Sequence, residues 1–151
     1  MKLSVLIPAY NEEDSLEPTV RAFYGCLADE GIDHEIVVID DNSSDGTAQV
    51  LARLADSVPT LVWYTNPGPN GFGLAIRYGL DRFAGDAVAI VMADLSDDPH
   101  DLVAFYRKLG QGYDCVFGSR FIRGGAVHDY PYLKLRLNRL ANFILRVCFG
   151  L

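Results

Sequence analysis

Acidic residues follow two apolar runs of the chain, close to the point where each run ends. Asp40 and Asp41 come directly after the run at 36–39, and Asp94 lies just beyond the run at 88–92. Adjacent carboxylates repel each other, so Asp40 and Asp41 need hydrogen-bond donors or a cation nearby. One of them could accept hydrogen bonds from a base or ribose while the other faces a diphosphate and its metal ion. The alternative is that both acids only cap and shape a solvated turn.

A third apolar run, at 3–8, leads into polar residues near the N-terminus. Pro8 ends the hydrogen-bonding ladder of a strand and turns the chain. Tyr10 could then stack on a base, and Glu12 could hydrogen-bond a ribose or a base. The alternative is a simple helix start, where acidic side chains are favoured by the positive end of the helix dipole.

Two further features could contact phosphate. The segment 70–73 opens a helix after a loop, and Gly71 lets the backbone approach a ligand at that helix N-terminus. Asp94, Asp97 and Asp98 offer three acids within five residues. Mg²⁺ or Mn²⁺ would bind one or two carboxylates together with substrate phosphates. We expect Asp94, the acid nearest the strand, to be the metal ligand, and the other acids to include the cap of the next helix.

Strands and helices must alternate to position these residues. The predicted strands span 3–8, 35–39, 60–64, 87–92 and 114–118, and the predicted helices span 15–30, 45–55, 73–83, 99–109 and 132–149. This alternation predicts an α/β fold with a mostly parallel sheet and helices on both faces, followed by a C-terminal amphipathic helix. Right-handed crossovers place the carboxyl ends of the strands at one edge, where open α/β sheets bind ligands.

The composition indicates a globular protein and opposes nucleic-acid binding. Of the 151 residues, 50% are hydrophobic and 22% are charged, and the net charge is -7. The three cysteines include no C-x-x-C pair, so neither a disulfide framework nor a zinc site is expected. The first apolar run is too short for a secretory signal, and no run approaches about 18 residues. We predict a cytoplasmic location, at the face of a membrane if the terminal helix binds lipid.

Two regions are predicted along the chain. Residues 1–123 form a nucleotide-binding core, and residues 124–151 form a hinge at Gly124-Gly125 followed by the amphipathic helix. The basic residues of that helix lie mainly off its apolar stripe, so 132–149 could make peripheral contact with a membrane. The alternative is a helix that packs on the sheet or on residues that this sequence does not include. We expect 124–151 to begin an acceptor-binding or membrane-proximal region that continues beyond this sequence.

The ordered set of motifs resembles family 2 glycosyltransferases with the GT-A fold, most closely their dolichol/polyprenol-phosphate mannosyltransferase-like branch. The segments that carry the resemblance are VLIPAYNE at 5–12, IVVIDDNSSDGT at 36–47, NGFGLA at 70–75, ADLSDDP at 93–99 and GSRF at 118–121. They cover nearly the whole chain in the family's order and spacing. The resemblance implies a Rossmann-like nucleotide-diphospho-sugar transferase fold.

The resemblance also implies an inverting transfer of sugar from a GDP- or UDP-sugar to a polyprenyl phosphate or another acceptor. It implies a nucleotide-sugar pocket formed by Pro8, Ala9, Tyr10, Glu12, Ile39, Asp40, Asp41, Gly71, Met92 and Ala93. Asp94 would ligate Mg²⁺ or Mn²⁺ and act in catalysis with Arg120, which would approach the diphosphate. Lys134 and Arg139 would bind the acceptor phosphate. A polyprenyl phosphate oxygen is ionised at neutral pH, so no dedicated general base is expected.

The chain departs from the family pattern at its metal ligands. The family's D-x-D is Met92-Ala93-Asp94 here, and Ser96 stands where a further ligand is often found. A thioether is a soft ligand that does not serve Mg²⁺. Three consequences stay open: weaker metal binding, a cation that uses Asp97 or substrate oxygens, and catalysis without metal.

Three other functions compete with glycosyl transfer. Met92 and the early end of the chain favour a degenerate nucleotide-sugar-binding module, which metal-dependent turnover would exclude. A nucleotidyltransferase should have a glycine-rich motif after the first strand, where Ala9-Tyr10-Asn11-Glu12 stands. A receiver domain needs a phosphoacceptor aspartate after the third strand, where the chain has Tyr64-Thr65-Asn66. We therefore expect a glycosyltransferase.

Overall fold

The computed structural model describes residues 1–118 and 132–149. The strands are β1 (Leu3–Ala9), β2 (His34–Asp40), β3 (Leu61–Thr65) and β4 (Ala87–Ile90). The helices are α1 (Leu16–Asp29), α2 (Thr47–Ser57), α3 (Phe72–Leu80), α4 (Pro99–Leu109) and α5 (Tyr132–Phe149). The chain divides into two compact units, 1–116 and 117–151.

The first unit is built on a sheet of four parallel strands in the order β3-β2-β1-β4. β1 pairs with β2 along its whole length, from Leu3 opposite His34 to Ala9 opposite Asp40, and its first half pairs with β4. The strand order reverses at β1, because the chain leaves β3 through α3 and returns on the other side of β1. In such sheets, ligands bind in the crevice at the carboxyl ends of the strands where the order reverses.

Helices cover both faces of this sheet. Successive side chains of a strand point to opposite faces, so β1 contributes Val5 and Ile7 to one core and Leu6 to another. The larger core contains apolar residues of α1, α2 and α4, among them Phe23. The smaller core lies under α3, where Ala75 is completely buried. The predicted α/β fold, with a parallel sheet between helices, is confirmed.

Helix α3 lies very close to the sheet at Gly79. A Cβ atom on this residue would lie 2.3 Å from Leu6 Cδ1 and 3.1 Å from Ile39 Cγ1, well inside van der Waals contact. Gly79 therefore sets the distance between α3 and the two central strands. The N-terminal end of α3 meets the carboxyl edge of the sheet, where the Gly71 N–H donates to the Asp41 carboxylate.

The predicted fifth strand is wrong. The described residues contain no strand at 114–118, and Phe117 in this segment is 87% exposed. An apolar run forms a strand only where a neighbour pairs with it and covers one of its faces, and exposure shows that this segment is not covered. β4 also ends at Ile90, earlier than predicted, because the Met92 N–H donates to the Asp97 side chain instead of to a strand.

The second unit contains α5, whose bounds match the predicted helix at 132–149. Its exposed apolar side chains include Leu137, Leu140, Ile144 and Val147, which recur at helical spacing. Within the part of the chain that the structure describes, none of the helices has the length and apolarity that crossing a bilayer requires. The predicted domain boundary lies outside the described residues and stays a prediction.

Candidate functional site

A cavity of about 390 Å³ opens at the carboxyl edge of the sheet, beside the point where the strand order reverses. It is lined by Pro8, Ala9, Tyr10, Glu12, Asp41, Asn70, Gly71, Phe72, Ala75 and Met92. These residues come from the end of β1 and its loop, the loop after β2, the start of α3 and the segment after β4. The parallel sheet and the close approach of α3 therefore assemble one pocket from distant parts of the sequence.

Most of the predicted nucleotide-sugar residues line this cavity, namely Pro8, Ala9, Tyr10, Glu12, Asp41, Gly71 and Met92. The other three, Ile39, Asp40 and Ala93, are almost fully buried and do not line it. Ile39 packs under α3, and Ala93 packs in the larger core. Asp40 accepts a hydrogen bond from the Ser43 N–H at 3.0 Å and so shapes its own turn. Contact between these three residues and a nucleotide stays a prediction.

The Asp41 carboxylate is nearly buried although it lines the cavity. One of its oxygens accepts a hydrogen bond from the Asn66 side-chain amide at 2.6 Å, and the other accepts one from the Gly71 N–H at 2.6 Å. These bonds tie the loop after β2 to the loop after β3 and to the start of α3. Repulsion between Asp40 and Asp41 is relieved because each carboxylate faces its own donors.

The motifs that follow β1 and β2 bind each other. The Glu12 N–H donates to Thr47 Oγ1 at 2.9 Å, and the Gly46 N–H donates to the Glu13 carboxylate at 2.6 Å. Glu13 therefore serves the structure of the loops. Glu12 lines the cavity, and its carboxylate accepts a hydrogen bond from the Ser15 hydroxyl. The helix-start role that competes with ligand binding applies to both acids, because the Glu12 carbonyl also accepts the Leu16 N–H at 3.0 Å. Of the two acids, Glu12 also lines the cavity.

A tight turn after β4 carries Asp94. Leu95 has a φ of 58°, a left-handed conformation that costs a residue with a Cβ about 1–2 kcal/mol. The Ser96 N–H donates to Asp94 Oδ1 at 3.0 Å, and the Met92 N–H donates to Asp97 Oδ2 at 2.8 Å. Hydrogen bonds from the Ser96 hydroxyl and N–H hold the pKa of Asp94 below its ordinary value, so this exposed carboxylate is ionised at neutral pH. We call residues 92–97 the acidic turn.

The side chains present fit a divalent cation only in part. Asp94 offers a hard anionic oxygen, whereas Met92 offers a soft thioether. The described residues contain no group of three or more His, Cys, Asp or Glu side chains placed to hold a metal ion. Mg²⁺ usually takes one or two carboxylates and fills its other positions with water and substrate phosphates. Asp94 therefore fits a cation shared with a bound diphosphate, and the acidic turn does not fit a cation held by protein alone.

Three residues that line the cavity are not predicted as ligand contacts from the sequence: Asn70, Phe72 and Ala75. Phe72 is 54% exposed at the first position of α3, and an aromatic residue directly after Asn-Gly is a signal that could have found it. Ala75 gives no such signal in the sequence, because the way α3 packs on the sheet decides which of its residues face the cavity.

The remaining predicted residues lie elsewhere. Asp94 is exposed on the acidic turn, next to the cavity wall formed by Met92. Arg120 lies outside the described residues. Lys134 and Arg139 lie on α5, and their side chains are outside the described part of the structure. The catalytic and acceptor-binding roles of these basic residues stay predictions.

Comparison with known proteins identifies the family of this fold and cavity. The sequence model of glycosyl transferase family 2 matches residues 4–149, a range that includes every residue lining the cavity. The chain belongs to glycosyl transferase family 2. The resemblance that the motifs carry is therefore confirmed, and the parallel sheet is that of GT-A glycosyltransferases.

Two named transferases are similar to this chain over most of its length. The dolichol-phosphate mannosyltransferase of Pyrococcus furiosus is 31% identical over 147 residues, which are 97% of this chain and 41% of the relative. An undecaprenyl-phosphate 4-deoxy-4-formamido-L-arabinose transferase of Klebsiella pneumoniae is 35% identical over 143 residues, which are 92% of this chain and 42% of the relative. The chain thus spans less than half the length of these relatives.

A solved structure is also similar to this family 2 chain. It is the mannosyltransferase PcManGT of Pyrobaculum calidifontis in complex with GDP-Man and Mn²⁺. The TM-score is 0.54 and the sequence identity is 29%, over 61% of this chain and 27% of PcManGT. PcManGT is therefore similar in fold to part of this chain, and it was solved with GDP-Man and Mn²⁺.

Proposed function

We propose that this chain forms the donor site of a glycosyltransferase that moves a sugar from a nucleoside-diphosphate sugar to a polyprenyl phosphate. The observation that carries the proposal is the cavity at the reversal of the strand order, because residues of three family-matching segments meet there. The similar proteins support this chemistry. Two are named as transferases of dolichol phosphate and undecaprenyl phosphate, and PcManGT was solved with GDP-Man.

Tyr10 and Glu12 are the groups best suited to hold the base and the ribose. Tyr10 is 52% exposed at the cavity, so its ring can stack on a base. The Glu12 carboxylate can accept hydrogen bonds from ribose hydroxyls. The diphosphate is proposed to lie toward Met92 and the acidic turn. At the start of α3, the Asp41 carboxylate already accepts the Gly71 N–H, and its negative charge would repel the diphosphate there.

Transfer requires stabilisation of the negative charge that develops on the leaving diphosphate. Asp94 would hold Mg²⁺ or Mn²⁺, which when bound supplies Lewis-acid stabilisation to the diphosphate oxygens. Arg120 is proposed to add a second positive charge. The acceptor phosphate oxygen is already ionised, so no side chain has to remove a proton from it. Attack on the face opposite the diphosphate would invert the anomeric carbon.

The acceptor is proposed to reach the site from the cytoplasmic face of a membrane. The exposed apolar row of α5, including Leu140 and Ile144, suits burial in a lipid interface. The basic residues of the helix suit anionic headgroups, and Lys134 and Arg139 are proposed to bind the acceptor phosphate. This part of the proposal depends on α5 and is separate from the donor cavity.

Titration calorimetry with GDP and UDP, with and without Mn²⁺, tests the donor site. We expect one diphosphate to bind and to bind more tightly with Mn²⁺. Tyr10→Ala should weaken that binding by about 10-fold or more, the loss of one base–aromatic stack. Tyr113→Ala is the control, because Tyr113 is 58% exposed and does not line the cavity. A folded wild-type protein that binds neither diphosphate would overturn the proposal.

A nucleotide-sugar-binding module without turnover is the second candidate, and Met92 is the observation that favours it. Both candidates predict diphosphate binding, so binding alone does not separate them. Incubation with GDP-mannose, Mn²⁺ and a short-chain polyprenyl phosphate does. Formation of a glycosylated lipid supports the enzyme, whereas tight donor binding without any transfer supports the module.

A further inference from the structure

One polar residue interrupts the apolar face that α1 turns toward the sheet. The buried residues of this helix are Leu16, Thr19, Val20, Phe23 and Leu27. Thr19 is completely buried, and a buried hydroxyl costs free energy unless it is hydrogen-bonded. The bonds that Thr19 makes therefore explain why a hydroxyl is kept at a position that an aliphatic side chain could fill.

The Thr19 hydroxyl lies near two carbonyl oxygens and has one proton to donate. The Ser15 carbonyl, one turn earlier in α1, is 2.8 Å away, and this contact is one that threonine makes in many helices. The Ala93 carbonyl is also 2.8 Å away and belongs to the acidic turn, 74 positions along the chain. Ala93 is 2% exposed, so its carbonyl is shielded from water and needs a donor. The hydroxyl thus joins α1 to the acidic turn.

The Ala93 carbonyl shares a peptide unit with the nitrogen of Asp94. A peptide unit is planar, so a bond that fixes its oxygen also fixes the direction in which the chain enters Asp94. The turn needs such support, because Leu95 is held at a φ of 58° and such conformations persist only where the surroundings impose them. Thr19 supplies one of the bonds that impose it.

Helix α1 also connects this turn to the other side of the cavity. The Ser15 hydroxyl donates to the Glu12 carboxylate, and Glu12 lines the cavity. Contacts therefore run without a gap from Glu12 through Ser15 and Thr19 to Ala93, the residue before Asp94. This path links the proposed ribose side of the site to the proposed cation side.

We propose that Thr19 is a positioning residue of the donor site, which sets the acidic turn so that Asp94 meets the cation of a bound diphosphate. This inference rests on the proposed function, since it uses the roles proposed for Glu12 and Asp94. Thr19 touches no substrate and acts through Asp94, as outer partners of metal ligands do. A threonine with a structural role alone would change stability and leave the effect of Mn²⁺ on binding untouched.

Titration calorimetry of GDP and UDP, with and without Mn²⁺, tests the inference on the whole chain. Thr19→Val keeps the shape and removes the hydroxyl, and Thr19→Ser keeps the hydroxyl. If Thr19→Val does not fold, Thr19→Ala carries the same expectation. Ser4→Ala is the matched control, because Ser4 is also completely buried and donates to Glu35 at the amino edge of the sheet. Thermal unfolding establishes that each variant is folded at the titration temperature.

Mn²⁺ should raise the diphosphate affinity of Thr19→Val much less than that of the wild type. We expect the variant to bind about 10-fold or more weakly than the wild type when Mn²⁺ is present. Its affinity without Mn²⁺ should stay close to that of the wild type. Thr19→Ser and Ser4→Ala should keep the response to Mn²⁺.

If Mn²⁺ raises the diphosphate affinity of Thr19→Val as much as that of the wild type, the inference is overturned and the proposed function stays in place. An equal loss in Ser4→Ala would overturn it too, because the effect would then follow general destabilisation. A wild type that binds a diphosphate without any effect of Mn²⁺ would overturn the inference and the role of the cation. A wild type that binds neither diphosphate would overturn the proposed function as well.

Discussion

Met92 lies at the cavity wall, 40% exposed, at the position where the motif resemblance implies the first carboxylate of a D-x-D. Its thioether can contact a bound donor but does not attract Mg²⁺ or Mn²⁺. Asp94 is the one acid of the motif that is present, and Asp97 already accepts a hydrogen bond from the Met92 N–H. We therefore expect weak cation binding until a diphosphate supplies further oxygens.

Met92→Asp should strengthen the Mn²⁺-dependent part of diphosphate binding, because it adds a second carboxylate to the acidic turn. We expect a gain on the order of 10-fold in calorimetric affinity with Mn²⁺, since the number of charged ligands sets cation affinity. Met92→Leu keeps the size of the side chain without its sulfur or any charge, and it is the control. Equal responses of the two variants to Mn²⁺ would contradict a site limited by its missing acid.

Side chains alternate at a strand end, so Asp40 and Asp41 are expected to point in different directions, and their separate donors show that they do. The sequence does not predict which of the two faces the cavity. Asp41 lines it because Asn66 and Gly71 bring donors to that side, whereas Asp40 turns toward Ser43. The alternation of side chains along a strand is a local property. The hydrogen-bond donors at a strand end come from loops that are distant in the sequence.

Among the elements, α3 depends on one glycine for its position over the sheet. Gly79→Ala would place a methyl group against Leu6 and should destabilise the protein by about 1–3 kcal/mol, the usual cost of overpacking. Denaturant unfolding measures the change. Gly73→Ala is a matched control in the same helix, because a Cβ there meets no atom within 4 Å. Equal stability of the two variants would contradict the close approach of α3.

At the amino edge of the sheet, Glu35 joins β1, β2 and the loop before β4. Its carboxylate accepts hydrogen bonds from Lys2 Nζ at 2.8 Å, Ser4 Oγ at 2.6 Å and the Ala84 N–H at 2.6 Å. Burial alone would raise the pKa of Glu35, but these three donors outweigh it and hold the pKa below its ordinary value. The ionised form of Glu35 therefore stabilises the fold.

This lowered pKa predicts how stability depends on pH. The contribution of Glu35 is complete above its unfolded-state pKa of about 4.3 and is lost as the pH falls through the lower folded-state pKa. At about pH 5, the free energy of unfolding of Glu35→Gln should be lower than that of the wild type. As the pH is lowered from about 5 to 3, it should fall less than in the wild type. Glu17→Gln removes an exposed acid paired with Arg21 and should follow the wild type. Parallel pH profiles for wild type and Glu35→Gln would contradict the prediction.

Elements with strong local signals are predicted best. Helix α4 begins at Pro99, as predicted, because proline suits the first position and Asp98 caps the helix by accepting the His100 N–H at 2.8 Å. The segment 114–118 has an apolar run but no strand, since pairing depends on a neighbour that the run itself does not specify. Local chemistry therefore predicts the start of this helix, whereas long-range pairing decides which segments form strands.

At the scale of the whole molecule, α5 is proposed to contact an anionic membrane. Leu140→Glu should weaken co-sedimentation of the chain with phosphatidylglycerol vesicles by about 10-fold or more, because burial of one leucine is worth about 1.5–3 kcal/mol. Leu80→Glu is the control, since Leu80 is 39% exposed on α3 in the first unit. Unchanged vesicle binding by Leu140→Glu would contradict membrane contact through this face.

The cavity beside β1, α3 and the acidic turn is proposed to bind the donor diphosphate. Changes in backbone amide NMR shifts on addition of GDP or UDP with Mg²⁺ test it most directly, because they locate the ligand on the fold. We predict that the largest changes fall at 8–12, 41, 70–75 and 92–94, with little change around Glu35 at the opposite edge of the sheet. Changes confined to other parts of the chain, or none in a folded protein, would contradict the claim.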